Sequence, residues 1–307
     1  MNNEPLYTVC TPAFNRADTL ARVFESLKRQ TLQDFEWLII DDGSTDNTEE
    51  VVQGFIALEC MSIRYVFQQN AHKKMAVKHG IDLAAGRFFM IADADADADD
   101  EFPATAFEDF AQTWESIPLD IRHLFTGVCG LCVNQDQELI GDKFPRDNFD
   151  STSIELRLVH KVHGEKWGIC LTRDLRNIYP KDFDKYPGHI PEGIFQRKLD
   201  AKKTRFFNKV VRTYYTNQAH SMTNSGFQQS DAAGICLDNI DWLNNYSHLF
   251  IKVPLHFLKC AVRLAIFRTF VPDSIELPKV NSVYFRFICL LFSPLVLVLK
   301  NKYLRSA

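Results

Sequence analysis

The chain opens with an alternation that leaves little choice of fold. Four apolar runs of strand length, "LYTVCT" (6–11), "FEWLII" (35–40), "IRYVF" (63–67) and "RFFMIA" (87–92), are separated by three stretches with helical spacing. In "ADTLARVFESLKRQT" (17–31), Leu20, Val23, Phe24 and Leu27 stand at i, i+3, i+4 and i+7, one face of a helix, with Asp18 its expected cap. Asp46 stands three residues before Glu49, the spacing of a capping box, and opens a helix running through Phe55. "KKMAVKHGIDLAAG" (73–86) reads as a third helix, closed by Gly86. This order predicts an α/β fold: an open, mostly parallel, Rossmann-like sheet with helices on both faces.

Such sheets bind ligands beyond the carboxyl ends of their strands. Asp41 and Asp42 follow the second run, and Asp93 and Asp95 follow the fourth, inside "IADADADADD" (91–100). The topology therefore brings two acidic clusters to one sheet edge. An EF-hand loop needs Gly at its sixth position and Glu at its twelfth. Counted from Asp93 these are Ala98 and Ala104, and from Asp95 they are Asp100 and Ala106, so that reading fails. A phosphatase of the haloacid dehalogenase type would continue its DxD to Thr or Val, where this chain has Asp97. A DxD that holds Mg²⁺ or Mn²⁺ against a nucleotide diphosphate is the remaining option. Hard cations bind carboxylate and phosphate oxygens, and there they neutralise a departing diphosphate.

Beyond residue 104 the pattern loosens to α+β. "ATAFEDFAQTW" reads as a helix, and "HLFTGVCGLCV" and "QELIGDKF" as strands. "GEKWGICLTRDLRN" (164–177) reads as a strand leading to a helix, "IPEGIFQRKLDAKK" (190–203) as a helix, and "TRFFNKVVRTYY" (204–215) as a long strand or strand pair. Eight cysteines without paired spacing suit a reducing compartment, and the lone Cys129/Cys132 pair lacks the ligands a zinc site needs. A net charge of −4 offers no general reason to bind nucleic acid. The tail differs. From Ser247 onward nine basic residues face two acidic ones within apolar stretches. That composition predicts a basic amphipathic segment lying in a membrane interface, against the plainer alternative of a helical subdomain packed on the core. No basic, then apolar, N-terminal leader is visible, so a cytoplasmic protein is expected, peripheral on the inner membrane face through 247–307.

"CTPAFNRADTLARVFESLKRQTLQDFEWLIIDDGSTDNTEEVV" and "QQNAHKKMAVKHGIDLAAGRFFMIADAD" resemble glycosyltransferase family 2, the inverting enzymes of the GT-A fold, and the likeness extends roughly over residues 6–215. The resemblance implies a donor-binding half over 1–103 and an acceptor-binding half over 104–235, and the composition of the remainder marks 236–307 as a basic, apolar helical extension. It implies a sugar transferred from a nucleotide diphosphate sugar, with UDP expected, to a glycan or lipid-linked acceptor in surface polysaccharide synthesis. Pro12, Ala13, Phe14, Asn15 and Asp42 map onto the nucleoside contacts. Lys73 and Lys74 fall near the diphosphate. Asp93 is expected at the ribose or metal and Asp95 at the metal, with Asp97 and Asp99 as the alternative register. Glu192, in "IPEGIF", maps onto the carboxylate base, although Gly193 replaces a second acid; Asp182 and Asp184 are weaker alternatives. Glu165 and Trp167 are expected at the sugar, and His220 and Ser221 on a loop over the diphosphate. A nucleotidyltransferase of the same fold would need a Gly-rich phosphate loop after the first strand, which is missing here. A catalytically impaired nucleotide-sugar binder is the other alternative.

Overall fold

A computed structural model describes residues 4–95, 98–179, 186, 188, 190–191, 193–215 and 228–291, with only the backbone given within 94–100. The chain resolves into two compact units, residues 1–179 with 198–222, and residues 180–197 with 223–307.

In the first unit the four apolar runs become β1 (Tyr7–Ala13), β2 (Phe35–Asp41), β3 (Ser62–Phe67) and β4 (Phe88–Ile91). They lie parallel in the order β3-β2-β1-β4. β1 and β2 are buried on both faces, and the period-2 alternation of a strand divides the side chains between them. Tyr7, Val9, Trp37 and Ile39 join one core with helices α1 (Leu20–Lys28), α2 (Thr48–Ile56) and α4 (Ala106–Glu115). Cys10, Leu38 and Ile40 join the other with α3 (Lys73–Leu83). On α1 the residues predicted to face inward, Leu20, Val23, Phe24 and Leu27, are all buried. Gly80 lets α3 lie close on β1, since a Cβ there would stand 2.3 Å from Cys10 Sγ.

The sheet continues as a mixed one. Antiparallel to β4 runs β9 (Lys166–Leu171), then β7 (Phe125–Val133), then β10 (Lys203–Tyr214), which is parallel to β7. β8 (Phe149–Ser151) borders β10 on one side. The aspartate stretch forms β5 (Ala94–Asp95) and β6 (Ala98–Glu101), an antiparallel pair whose β6 adds to β10. The parts expected over 1–103 and 104–235 thus share one continuous sheet. α5 (Ser153–Leu158) and α6 (Thr172–Ile178) complete the unit, and α7 (Gly193–Leu199) crosses its boundary.

Three local expectations need correction. Thr19, not Asp18, stands at the N-cap of α1, and no side-chain cap bond forms there. At α2 the N-cap is Asn47, not Asp46, and it makes no side-chain cap bond; Asp46 Oδ1 instead accepts from Thr48 N (3.0 Å) and Thr48 Oγ1 (2.6 Å), so no capping box forms. "QELIGDKF" forms no strand beyond the bridge Val133–Leu139, because Gly141 at φ +82° turns the chain away.

The second unit is helical. α8 (Ala232–Asn245), α9 (Pro254–Phe267) and α10 (Val283–Leu291) enclose Trp242, Phe257, Leu264 and Phe285. Arg197, buried there, donates to Asp238 and Asp241 and lies 4.6 Å over the Trp242 ring.

Candidate functional site

The carboxyl edge of the parallel strands gathers the acidic clusters as the topology requires. β1 and β2 end side by side, Ala13 opposite Asp41, and β3 ends opposite Asp41 at Phe67. Asn15, at φ +55°, closes the turn after β1. Its Oδ1 accepts from Thr45 N (2.8 Å) and its own N–H donates to Ser44 Oγ (2.9 Å), which ties that turn to the loop after β2. Asp41 is consumed by structure: its Oδ1 accepts from Ser44 N (2.7 Å) and its Oδ2 from the Tyr65 hydroxyl (2.5 Å). Burial, then this bond, push the Tyr65 phenol upward. Gly43, at φ +84°, packs where a Cβ would meet Asn70 N at 2.8 Å.

Asp42 is held differently. It is 3% exposed, and its Oδ1 accepts from Gln68 Nε2 (2.7 Å) and Ala71 N (2.8 Å). Among the described residues Oδ2 accepts no hydrogen bond and no cation pairs with the carboxylate. Gln68 Oε1 in turn meets His79 Nδ1 at 2.9 Å. Since an amide oxygen only accepts, Nδ1 carries the proton in this contact. The His79–Gln68–Asp42 chain therefore uses one carboxylate oxygen for orientation and leaves the other for an N–H donor.

Asp93 follows β4 by two residues at the same edge. Lys73 Nζ, in the first turn of α3, pairs with its Oδ1 at 2.7 Å, and Arg212 Nη2 approaches Oδ2 at 3.9 Å. Burial alone would raise this carboxyl; the Lys73 ammonium, with Arg212 behind it, outweighs burial and holds it below the usual carboxylate range. Arg212, whose side chain is 4% exposed, also donates to Glu165 Oε1 at 3.3 Å. Because β9 runs antiparallel to β4, Glu165 comes to this edge just before β9 begins. In a βαβ crossover the helix runs against the strands, so α3 starts at the carboxyl edge, and helix N-termini favour anions.

The predicted site residues separate as follows. Asn15, Asp42, Asp93, Lys73 and Glu165 come to the strand edge, with Phe14 exposed beside them and Pro12 and Ala13 buried within β1. Lys74 lies in the first turn of α3. Trp167 does not form an open floor for a sugar. It is 7% exposed, stacks on Phe102 at 4.5 Å and donates through Nε1 to Ile91 O, so it belongs to the core. The side chains of Asp95 and Asp99, and all of Asp97, Asp182, Asp184, Glu192, His220 and Ser221, lie outside what is described. Among the described residues no three His, Cys, Asp or Glu side chains gather as a metal-binding group. Gln68 and Arg212 were not anticipated. The available signal was Arg212 itself, a cation inside the apolar run "KVVRTYY", which a buried strand tolerates only with a partner.

Residues 8–161 match the profile of Glycosyl transferase family 2. An uncharacterised glycosyltransferase of Escherichia coli, YibD, is 31% identical over 150 residues, 42% of each chain. Validoxylamine A glucosyltransferase of Streptomyces hygroscopicus subsp. jinggangensis is 43% identical over 74 residues, 24% of this chain and 17% of that protein. The matches thus span less than half the length of these curated relatives. In fold, the chain resembles Staphylococcus aureus TarS (1–349) in complex with UDP-GlcNAc, with a TM-score of 0.59, 18% identity, and coverage of 98% of this chain and 92% of that one. It also resembles the mannosyltransferase PcManGT of Pyrobaculum calidifontis in complex with GDP-Man and Mn²⁺, with a TM-score of 0.52, 15% identity, and coverage of 99% and 84%. The strand order, the DDGS loop with its spare carboxylate oxygen and the profile over half the chain converge: this protein belongs to glycosyl transferase family 2 and has a nucleotide-sugar glycosyltransferase domain of the GT-A type.

Proposed function

We propose that the protein moves one hexose from a UDP-sugar to a hydroxyl of a glycan or lipid-linked acceptor, with inversion, as a step of surface polysaccharide synthesis. The observation that carries the UDP reading is Asp42: a buried carboxylate with one oxygen fixed by Gln68 and Ala71 and the other left to accept the N–H of a uracil-like base. Phe14, 43% exposed at the same turn, offers an aromatic surface beside it. Lys73, Lys74 and the start of α3 supply positive potential for the diphosphate. Glu165, partnered by Arg212, is the proposed contact to donor-sugar hydroxyls.

The donor set fits a hard cation. Asp93 retains its negative charge at the strand edge, and the strand pair that follows continues a run of carboxylates. Asp95 with Asp93, or Asp97 with Asp99 in the other register, would hold Mg²⁺ or Mn²⁺. When bound, the ion supplies charge neutralisation for the departing diphosphate. The proposed base is Glu192, which takes the acceptor hydroxyl proton as that oxygen attacks the anomeric carbon in a single displacement.

Calorimetry with UDP, CDP and GDP in the presence of Mn²⁺ tests the base reading. UDP should bind at least about tenfold tighter than GDP; equal binding would discard it. Glu192→Gln should cut turnover by about 10²–10⁴ while UDP binding persists. Unchanged turnover would remove Glu192 from the mechanism.

A further inference from the structure

We propose that the outer face of α10, together with the turn that precedes α9, docks on an anionic lipid bilayer. α10 is apolar on two sides. One side packs inward: Phe285 stacks on Phe257 at 5.8 Å, and Cys289 Sγ donates to Ala261 O at 3.5 Å. The other side carries Val283, Tyr284, Phe287, Leu290 and Leu291, which are 54% to 73% exposed. Their spacing of i, i+1, i+4, i+7 and i+8 is a single helical stripe. Phe250 stands 5.7 Å from the Tyr284 ring, so the turn bearing Ile251, 90% exposed, and the start of α9 with Leu255, 70% exposed, adjoin the same end of α10.

Charge selects the occupant. The contacts Phe257–Phe285 and Ala261–Cys289 share an offset of 28 residues, so the two helices run in the same direction. That offset places exposed Lys259 level with Phe287 and exposed Arg263 level with Leu291. Arg286 is exposed on α10 itself, and from Ser247 onward nine basic residues stand against two acidic ones. A second copy of this surface would bring like charge against like charge. A sheet of anionic headgroups over acyl chains complements both features, with the stripe at the acyl boundary and the lysines and arginines at the headgroups. Tyr284 and Phe287 are aromatic residues suited to that boundary. No helix among the described residues is long and apolar enough to cross a membrane.

The test is co-sedimentation of the full chain with vesicles of phosphatidylcholine alone, or with roughly a third phosphatidylglycerol. The chain should pellet with the anionic vesicles and be released by salt. Phe287→Asp combined with Leu291→Asp should lower partitioning at least about tenfold. Lys259→Glu combined with Arg263→Glu should abolish the preference for anionic lipid. UDP affinity should stay unchanged in every variant, which shows that the fold is intact. Three outcomes would overturn the proposal: wild-type protein left in the supernatant with anionic vesicles, partitioning unaffected by the Asp pair, or an Asp pair that converts a dimer to a monomer without altering lipid binding.

Discussion

Asp42 and Asp93 stand at one sheet edge, after β2 and β4, and are held by opposite means. Neutral donors orient Asp42, so its charge is uncompensated by any cation among the described residues. Cations flank Asp93, so its charge is already partly cancelled. Neutral donors leave a carboxylate ready to bind a ligand N–H; cationic partners create a cluster whose members can turn to a phosphate or a metal when one arrives. The two corners should therefore fail differently.

The largest effect is expected where the cluster is stripped. Asp93→Ala combined with Glu165→Ala removes two acidic neighbours of the buried Arg212, and should cost about 2–3 kcal/mol in thermal or urea unfolding. A cost near zero would mean that the two corners do not differ in kind. Next comes Asp42→Asn. Its amide oxygen can keep the bonds from Gln68 and Ala71, which turns an N–H donor toward the ligand position. UDP affinity should fall by about 2 kcal/mol with unfolding unchanged, measured by calorimetry on both proteins. His79→Phe should be milder, about 1 kcal/mol in UDP binding, because it frees Gln68 rather than removing the acceptor. If His79→Phe matched Asp42→Asn, the orientation chain would matter more than the carboxylate itself. The smallest effect concerns Asp46, where burial alone would raise the carboxyl but bonds from Thr48 and Ala17 hold it below its ordinary value. Its contribution is complete above the unfolded carboxylate range and is lost as pH falls through the lower folded value. Protection of the Thr48 and Ala17 amides from exchange, relative to the unstructured rate at each pH, should accordingly fall only in acid.

The parallel half of the sheet was readable because each strand is a short apolar run, two of them stop at acids, and the helices between them repeat an apolar face. The mixed half was harder. "QELIGDKF" has the composition of a strand but is bent by Gly141, whose left-handed backbone no apolar pattern reveals. Trp167 looked like a ligand surface because it neighbours Glu165 and Lys166, yet Glu165 precedes β9 at the sheet edge while Trp167 lies inside the strand and stacks on Phe102. The partnership of Arg212 with Asp93 spans more than a hundred residues, and only the sheet order supplies it. Gln68 carried no signal, since its role depends on where β3 ends relative to Asp42.

The strand pair formed by β5 and β6 matches Ala94 with Asp99 and Asp95 with Ala98. From Asp93 to Asp99 the sequence maps onto itself after a shift of two residues. In a strand, such a shift returns every side chain to the same face. The stretch lies between two fixed pairings, β4 against β1 before it and Asp100–Glu101 against β10 after it, while its own repeat specifies no single register. One Asp–Ala unit can be gained or lost while the alternation of acids with alanines runs on unbroken, so the repeat carries spare carboxylates in its sequence.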